Sequence, residues 1–395
     1  MTLKNDIDFK KSRCISIHRE RIIGKVLNNS EDPTFIFFAG IHGNEKAGVY
    51  AAKRVLKKLE KLRGTFKGNV YFIYGNKKAL DLEVRYLQVD LNRIWSLERI
   101  KKVKERIDEN NSEEIEQFEI YSVVKEIIAK HQGTKYFIDL HTTSSPTPPF
   151  ITISDSLNNR KFSSFFSVPV ILGLEEYLNG PLLTFMNEYG HISLGFEAGE
   201  HFSEVSIDNC EAFIWLALFY GKCLKKKEII NFDIFHQKLN RSFQNKNFYQ
   251  IDFRYSIRKN ENFTMVKGFR NFDQIDRGKL LAYSDGKEIR AQSNGLLFMP
   301  LYQKLGEDGY FIIHKISKKW LKLSAALRKF KFHHLLRILP GIQRHPDNPF
   351  TLIVNPTVAK FMAKEIFHLF GYRQRVLTGK NYHFIKRDRK ITPFP

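Results

Sequence analysis

Cysteine is scarce in this chain of 395 residues. Cys14, Cys210 and Cys223 are far apart, so neither a disulfide framework nor a thiolate metal site can be read from their spacing. Long hydrophobic runs are also missing. No stretch approaches the roughly 20 apolar residues that a membrane-spanning helix needs. The opening residues, MTLKNDIDFKKSRC, lack the apolar core of a signal peptide, and a reduced cytoplasmic setting is the expectation. No internal repeat, low-complexity tract or recognised nucleic-acid motif is present. Acids are in deficit: 42 Asp and Glu stand against 64 Lys and Arg, a net charge of +22. The excess is concentrated at the end, where residues 321–395 carry 15 basic and three acidic residues, about +12. Such a segment can attract nucleic acid, an anionic surface or an acidic substrate, although a Lys-rich proteome would give the same composition.

What is present is an alternation of apolar runs and amphipathic stretches, as in α/β domains. TFIFFA (34–39), NVYFIY (69–74), KYFIDL (135–140), residues 150–154, 169–172 and HISLGF (191–196) read as strands. Residues 46–62, 113–130 and 209–224 read as helices, the first with Val49, Ala52, Leu56 and Leu59 on one side. From 251 to 315, short alternating segments broken by Gly, Asn and Asp predict a β-rich region of hairpins. Residues 320–339 predict a basic helix ended by Pro340-Gly341, and then a short basic segment to the C-terminus. The expected organisation is a catalytic domain over 1–225, a β-rich domain over 226–318 that partly covers the site, and a basic extension over 319–395.

Four polar clusters sit at or beside predicted strand ends: IHGNE (41–45), VDLNR (89–93), DLHTTSS (139–145) and FEAGEH (196–201). In an open α/β sheet, strand ends gather at the edge where ligands bind. A turn needs Gly, Asn or Asp, but it does not need His and Glu. His42 and Glu45 can face the same way in a loop entering a helix, with Gly43 permitting an unusual backbone. Imidazole nitrogen and carboxylate oxygen are zinc ligands, and His141 is the best third one. Asp139 is placed to orient His141. Glu197, after an apolar strand, suits a general base and acid at the crevice wall. The alternative for Glu197 is a surface ion pair, and for His201 a plain loop histidine. Arg85, Asn92 and Arg93 suit a carboxylate or a developing oxyanion, because the guanidinium fork binds such groups in bidentate fashion. Asp90 suits a loop-holding role.

Together HGNE (42–45), RYLQVDLNR (85–93), DLHTTSS (139–145) and EAGEH (197–201) resemble the aspartoacylase/succinylglutamate desuccinylase family of zinc carboxypeptidase-like hydrolases. The segment from GFRNFDQ to FMPLY resembles that family's C-terminal domain. The resemblance implies a mixed β-sheet flanked by helices, with a smaller β domain partly covering the site. It implies one Zn2+ per chain held by His42, Glu45 and His141, with Glu197 as catalytic base and acid. Arg85 would polarise the scissile carbonyl, Asn92 and Arg93 would bind a substrate carboxylate, and Tyr302 is a further substrate-contact candidate. The implied substrate is a small N-acyl amino acid cleaved at its amide bond. One position departs from the pattern: ten residues before the catalytic glutamate, aspartoacylases carry an arginine for the substrate's side-chain carboxylate, and Asn187 stands there. The basic extension has no counterpart in the family pattern.

A carboxypeptidase or an esterase could use the same residues. A different class of function, binding of nucleic acid or an anionic surface through the basic C-terminal segment, is the other alternative. Lys and Arg mixed with Phe and Trp320 would serve it by backbone contact and stacking. A homodimer is among the expected assemblies.

Overall fold

The computed structural model describes residues 21–105, 111–241, 247–303, 305–358, 364–376 and 381–395. The opening segment and Cys14 lie outside the described residues. In the first half the elements are β1 (Ile22–Val26), β2 (Thr34–Ala39), α1 (Ala47–Leu59), β3 (Asn69–Tyr74), α2 (Ser112–Lys130) and β4 (Lys135–Thr143). They continue with β5 (Phe150–Ile153), β6 (Val170–Leu172), α3 (Leu182–Glu188), β7 (Ile192–Glu200) and α4 (Glu204–Tyr220). The β-rich region supplies β8 (Phe248–Ser256), β9 (Phe263–Met265), β10 (Gln274–Ile275), β11 (Leu280–Ser284), β12 (Lys287–Arg290), β13 (Gly295–Phe298) and β14 (Asp308–Lys315).

Among the described residues one mixed sheet of 11 strands runs in the order β1-β3-β2-β4-β7-β5-β6-β8-β14-β13-β10. The three central strands β2, β4 and β7 are mutually parallel, whereas β5 returns antiparallel to β7. Fully buried strands such as TFIFFA form here because both faces of the sheet are covered. Phe35 and Phe37 pack with α1 and α4 on one side, and Ile36 and Phe38 with α2 and α3 on the other. The β-rich region does not stand apart: β8 pairs with β6, so the sheet passes from the first half into the second. Strands β9, β11 and β12 make a separate three-stranded sheet.

Several sequence expectations end too early or too late. KYFIDL continues to Thr143 and HISLGF to Glu200, so His141 and Glu197 are strand residues rather than loop residues. The helix expected over 209–224 starts at Glu204 and ends at Tyr220. The basic helix expected over 320–339 is shorter: α5 (Lys318–Lys329) gives way to 3-10 turns over Phe332–Ile338. The remainder of the chain is more than a basic segment. Strands β15 (Ile342–Arg344) and β16 (Thr351–Val354), helix α6 (Lys364–Leu369), and strands β17 (Tyr372–Val376) and β18 (Tyr382–Lys386) form a unit with its own sheet, order β15-β16-β18-β17. Leu336, Ile342, Leu352, Phe367, Tyr372 and Phe384 are its core.

This unit is fastened to the catalytic half by buried charges. Arg328 donates from Nη2 to Asp155 Oδ2 at 2.9 Å, with its side chain 1% exposed. Arg387 reaches Glu175 (2.9 Å), Asp155 (3.4 Å) and Glu176 (2.5 Å). Lys364 and His368 also pair with Glu176, each at 2.7 Å, and Arg373 pairs with Glu188. Part of the basic surplus of the last 75 residues is therefore committed to neutralising acids of the first half. Phe394 packs on Tyr121, Phe185 and Tyr189, tying the end of the chain to α2 and α3.

Burial disfavours ionisation of Glu176, but Arg387, His368 and Lys364 outweigh it and draw its pKa from 4.5 down to about 2. A depressed carboxylate stabilises the folded form above its unfolded pKa and ceases to do so as the pH falls through the folded value. Wild-type protein should therefore keep this contribution above pH 4.5 and lose it progressively toward pH 2. Arg387→Met, which strands buried carboxylates, is expected to cost about 3–5 kcal/mol at neutral pH. Calorimetric melting of both proteins across that pH range checks this; equal melting temperatures at neutral pH would refute the role of the pairs.

Candidate metal centre and active site

Strand register brings the polar clusters together. Ala39 pairs with Leu140 across β2 and β4, and His141 lies opposite Glu197 across β4 and β7. The loop after β2 and the last residues of β4 and β7 thus meet at one sheet edge. Within that loop the Glu45 N–H donates to the His42 carbonyl at 3.1 Å, a tight turn that points both side chains inward. Gly43 is needed for close approach rather than for an unusual φ: a Cβ there would fall 2.0 Å from the Ala79 carbonyl carbon.

His42, Glu45 and His141 are all buried, and one ligand atom from each lies within 4.8 Å of the others. The hydrogen-bond geometry is unusual. His42 faces Glu45 Oε1 through Nδ1 (2.8 Å) and Asp90 Oδ1 through Nε2 (3.1 Å). His141 faces Glu45 Oε2 through Nδ1 (2.9 Å) and Asp139 Oδ2 through Nε2 (2.6 Å). Each imidazole thus has a carboxylate at both nitrogens. A neutral imidazole carries one N–H, so one nitrogen of each ring would turn a lone pair toward an anionic oxygen. Either a second proton on the ring or a cation among Nδ1, Nδ1 and the Glu45 oxygens removes that conflict. With Asp90 and Asp139 fixing the Nε2 sides, the Nδ1 sides fit a metal ion held in the way carboxylate-backed histidines hold one. The protonated alternative is visible in His141: burial opposes its charge, yet Asp139 and Glu45 hold its pKa well above the ordinary value. Glu45 is correspondingly held well below the carboxylate range, the two imidazoles outweighing burial.

Arg85 is half-buried beside this group, 3.5 Å from Glu45 Oε1 and donating to Asp90 Oδ2 at 3.0 Å. Asp90 also accepts from the Asn92 N–H at 2.8 Å, so it holds the loop and orients His42 at once. Glu197 is 8% exposed, and its Oε2 has no hydrogen-bond partner among the described residues. Burial pushes its pKa up to about 8; Glu45 and Asp139 add to the rise, while His141 and Arg85 oppose it.

A cavity of about 150 Å3 is lined by all seven residues His42, Glu45, Arg85, Asn92, Arg93, His141 and Glu197. Asn92 is anchored by accepting from the Leu182 N–H at 2.9 Å. Arg93 lies 3.3 Å from Asp308, a partner from β14 that no local sequence signal marks. His201 lines the cavity and meets Thr142 Oγ1 at 2.7 Å. Tyr302 differs from the rest. It is not a lining residue; its hydroxyl donates to the Val266 carbonyl (2.9 Å) and accepts from the Phe269 N–H (3.0 Å), while its neighbours Leu301 and Gln303 face the cavity. Asn187 also lies outside this cavity, hydrogen-bonded to Asn159 (3.0 Å) and to the Arg387 carbonyl (3.4 Å).

Residues 31–214 match the family model for the Succinylglutamate desuccinylase/Aspartoacylase catalytic domain. That stretch belongs to the succinylglutamate desuccinylase/aspartoacylase family. A succinylglutamate desuccinylase of Pseudoalteromonas atlantica is 25% identical over 308 residues, which is 71% of this chain and 80% of that protein. Among solved structures, the product-bound ectoine utilization protein EutE (DoeB) from Ruegeria pomeroyi superposes with a TM-score of 0.54 at 17% identity, over 74% of this chain and 88% of that one. The succinylglutamate desuccinylase/aspartoacylase from Rhodobacter sphaeroides gives 0.53 at 12% identity, over 73% and 87%. These superpositions establish the fold. The family is one of deacylases acting on amide bonds. No described helix is long and apolar enough to cross a membrane.

Titration calorimetry with divalent cations tests the metal reading of the site. His42→Ala and His141→Ala should abolish binding, and Asp139→Asn should weaken it about 10–100-fold by releasing the ring it orients. Undiminished binding in both alanine variants would exclude this position.

Proposed function

We propose that the chain is a zinc-dependent hydrolase that cleaves the amide bond of a small, carboxylate-bearing N-acyl amino acid. The observation that carries this reading is the convergence on Glu45 of the Nδ1 atoms of two imidazoles backed by carboxylates at Nε2, beside a buried Glu197 whose Oε2 has no hydrogen-bond partner among the described residues. His42, Glu45 and His141 would hold zinc, the donor set of several catalytic zinc sites. Bound there, zinc supplies an acidified water and a Lewis acid for the carbonyl.

The protein's own groups do the rest. Glu197 accepts a proton from the attacking water and returns it to the amide nitrogen as the C–N bond breaks, leaving an acid and an amine. Its low exposure strengthens this exchange by excluding competing water. Arg85 donates to the carbonyl oxygen as negative charge develops on it. Asn92 and Arg93 bind the substrate carboxylate, and Asp308 holds the Arg93 fork in place. Tyr302 acts at one remove, bracing residues 266–269 beside the cavity-facing Leu301 and Gln303. The Pseudoalteromonas relative removes a succinyl group from an amino acid according to its name, and amide hydrolysis of an N-acyl amino acid is carried to this chain on that likeness.

Purified protein assayed against N-acyl amino acids, matched esters and peptides tests the assignment. Activity should be highest on the N-acyl amino acids. Glu197→Gln should retain the fold and zinc while lowering kcat by about 10²–10⁴-fold. Full activity in Glu197→Gln, or a preference for peptides, would overturn the reading.

A further inference from the structure

The cavity extends beyond the paired imidazoles. Ser193, Gly195 and Glu197 share one face of β7 through the two-residue period of a strand, and all three line it. Four residues of strand advance about 13 Å, so the space running from Glu197 is longer than one amide group requires. A Cβ at position 195 would come within 2.4 Å of Thr152 Oγ1, so glycine keeps the passage open. The lining there includes the hydroxyl residues Thr152, Ser154 and Thr184 among apolar ones such as Leu174 and Leu183.

Glu175 lines the cavity next to this remote end, because its Oε1 accepts from the N–H of Asp155, the residue after Ser154, at 3.4 Å. The same oxygen accepts from Arg387 Nε of the C-terminal unit at 2.9 Å. The other oxygen, Oε2, has no hydrogen-bond partner among the described residues, although the side chain is only 2% exposed. Arg387 does not supply the missing donor: its two Nη atoms are directed at Asp155 and Glu176. A buried charged acceptor left without a donor is costly, more so than a neutral one. The cavity is therefore polarised. Arg85 lies beside the paired imidazoles, Arg93 lines the cavity against Asp308, and an acceptor short of one hydrogen bond lies at Glu175.

We propose that Glu175, fixed in place by Arg387 of the C-terminal unit, reads the remote group of the ligand as a hydrogen-bond donor and selects against a carboxylate there. An ammonium or an amide would complete Oε2, whereas a carboxylate would meet it as like charge. The ligand class is then an N-acyl amino acid with a carboxylate that meets Arg93 and a donor that meets Glu175. This rests on the reading of the cavity as an N-acyl amino acid site. It also gives the basic C-terminal unit a part in specificity, through the one guanidinium that sets the Glu175 carboxylate.

Three compounds of matched length separate the cases: Nα-acetylornithine, N-acetylglutamine and N-acetylglutamate, ending in ammonium, amide and carboxylate. Their affinities are measured by calorimetry on full-length Glu197→Gln protein, which prevents turnover, and kcat/KM is measured on wild type. The two donor compounds should bind at least about tenfold more tightly than N-acetylglutamate. Adding Glu175→Gln should shrink that ratio toward one, mainly by improving N-acetylglutamate binding. Glu175→Asp, which keeps the charge, should preserve the direction of preference. If Glu175→Gln fails to fold, the wild-type ratio and Glu175→Asp decide. N-acetylglutamate binding as tightly as the other two, a ratio unchanged by Glu175→Gln, or no binding of any of the three would overturn the proposal. Loss of hydrolysis in wild type with the binding ratio intact would instead refute the hydrolase reading and leave this one standing.

Discussion

Two histidines that each face carboxylates at both ring nitrogens cannot rest as neutral imidazoles without setting a lone pair against an anion. That conflict organises the site. It requires a positive charge where the Nδ1 atoms and Glu45 converge, either protons on the rings or a cation among them. Asp90 and Asp139 fix the far side of each ring, so the rings cannot turn away to relieve it. Asp90 is in turn held by Arg85 and the Asn92 N–H, and Glu45 by the Thr142 N–H at 2.9 Å. Glu197, opposite His141 in the sheet register, stands at the rim of this charge cluster with an oxygen to spare.

The sheet makes such a cluster tolerable. Three parallel strands with apolar side chains on both faces are a rigid base, and only their ends carry polar chemistry. The two faces divide the work: Phe35 and Phe37 pack toward α1 and α4, while the opposite face carries His141 and Glu197 toward the cavity. The C-terminal unit solves an electrostatic problem of its own. Asp155, Glu175 and Glu176 would be costly to bury alone, and Arg328, Arg387 and Lys364 arrive from the end of the chain to pair with them. The same contacts set the Glu175 carboxylate at the remote end of the cavity.

Much of the site was legible because its residues sit in short clusters at strand ends, where the types His, Glu and Arg contradict the needs of an ordinary turn. His42, Glu45, Arg85, Asn92, Arg93, His141 and Glu197 all line one cavity. The central strands were legible from their continuous apolar runs. Their ends were not, because His141 and Glu197 extend strands with polar residues that periodicity treats as breaks. Glu175 and Asp308 were missed since nothing local distinguishes them; each matters through a partner more than 200 residues away. The four strands after residue 341 were missed for a related reason. They are short, and three of the four carry basic residues, so their core of Ile342, Leu352 and Phe384 emerges only when the strands pair. Tyr302, suggested by the family resemblance alone, has its hydroxyl engaged with backbone outside the cavity.

The most direct test of the central claim is the zinc content of the purified full-length protein by elemental analysis, together with hydrolysis of N-acyl amino acids before and after chelation. The account predicts about one zinc per chain, and activity that is lost on chelation and restored by added zinc. A protein without bound zinc that hydrolyses these compounds undiminished in the presence of chelator would contradict it.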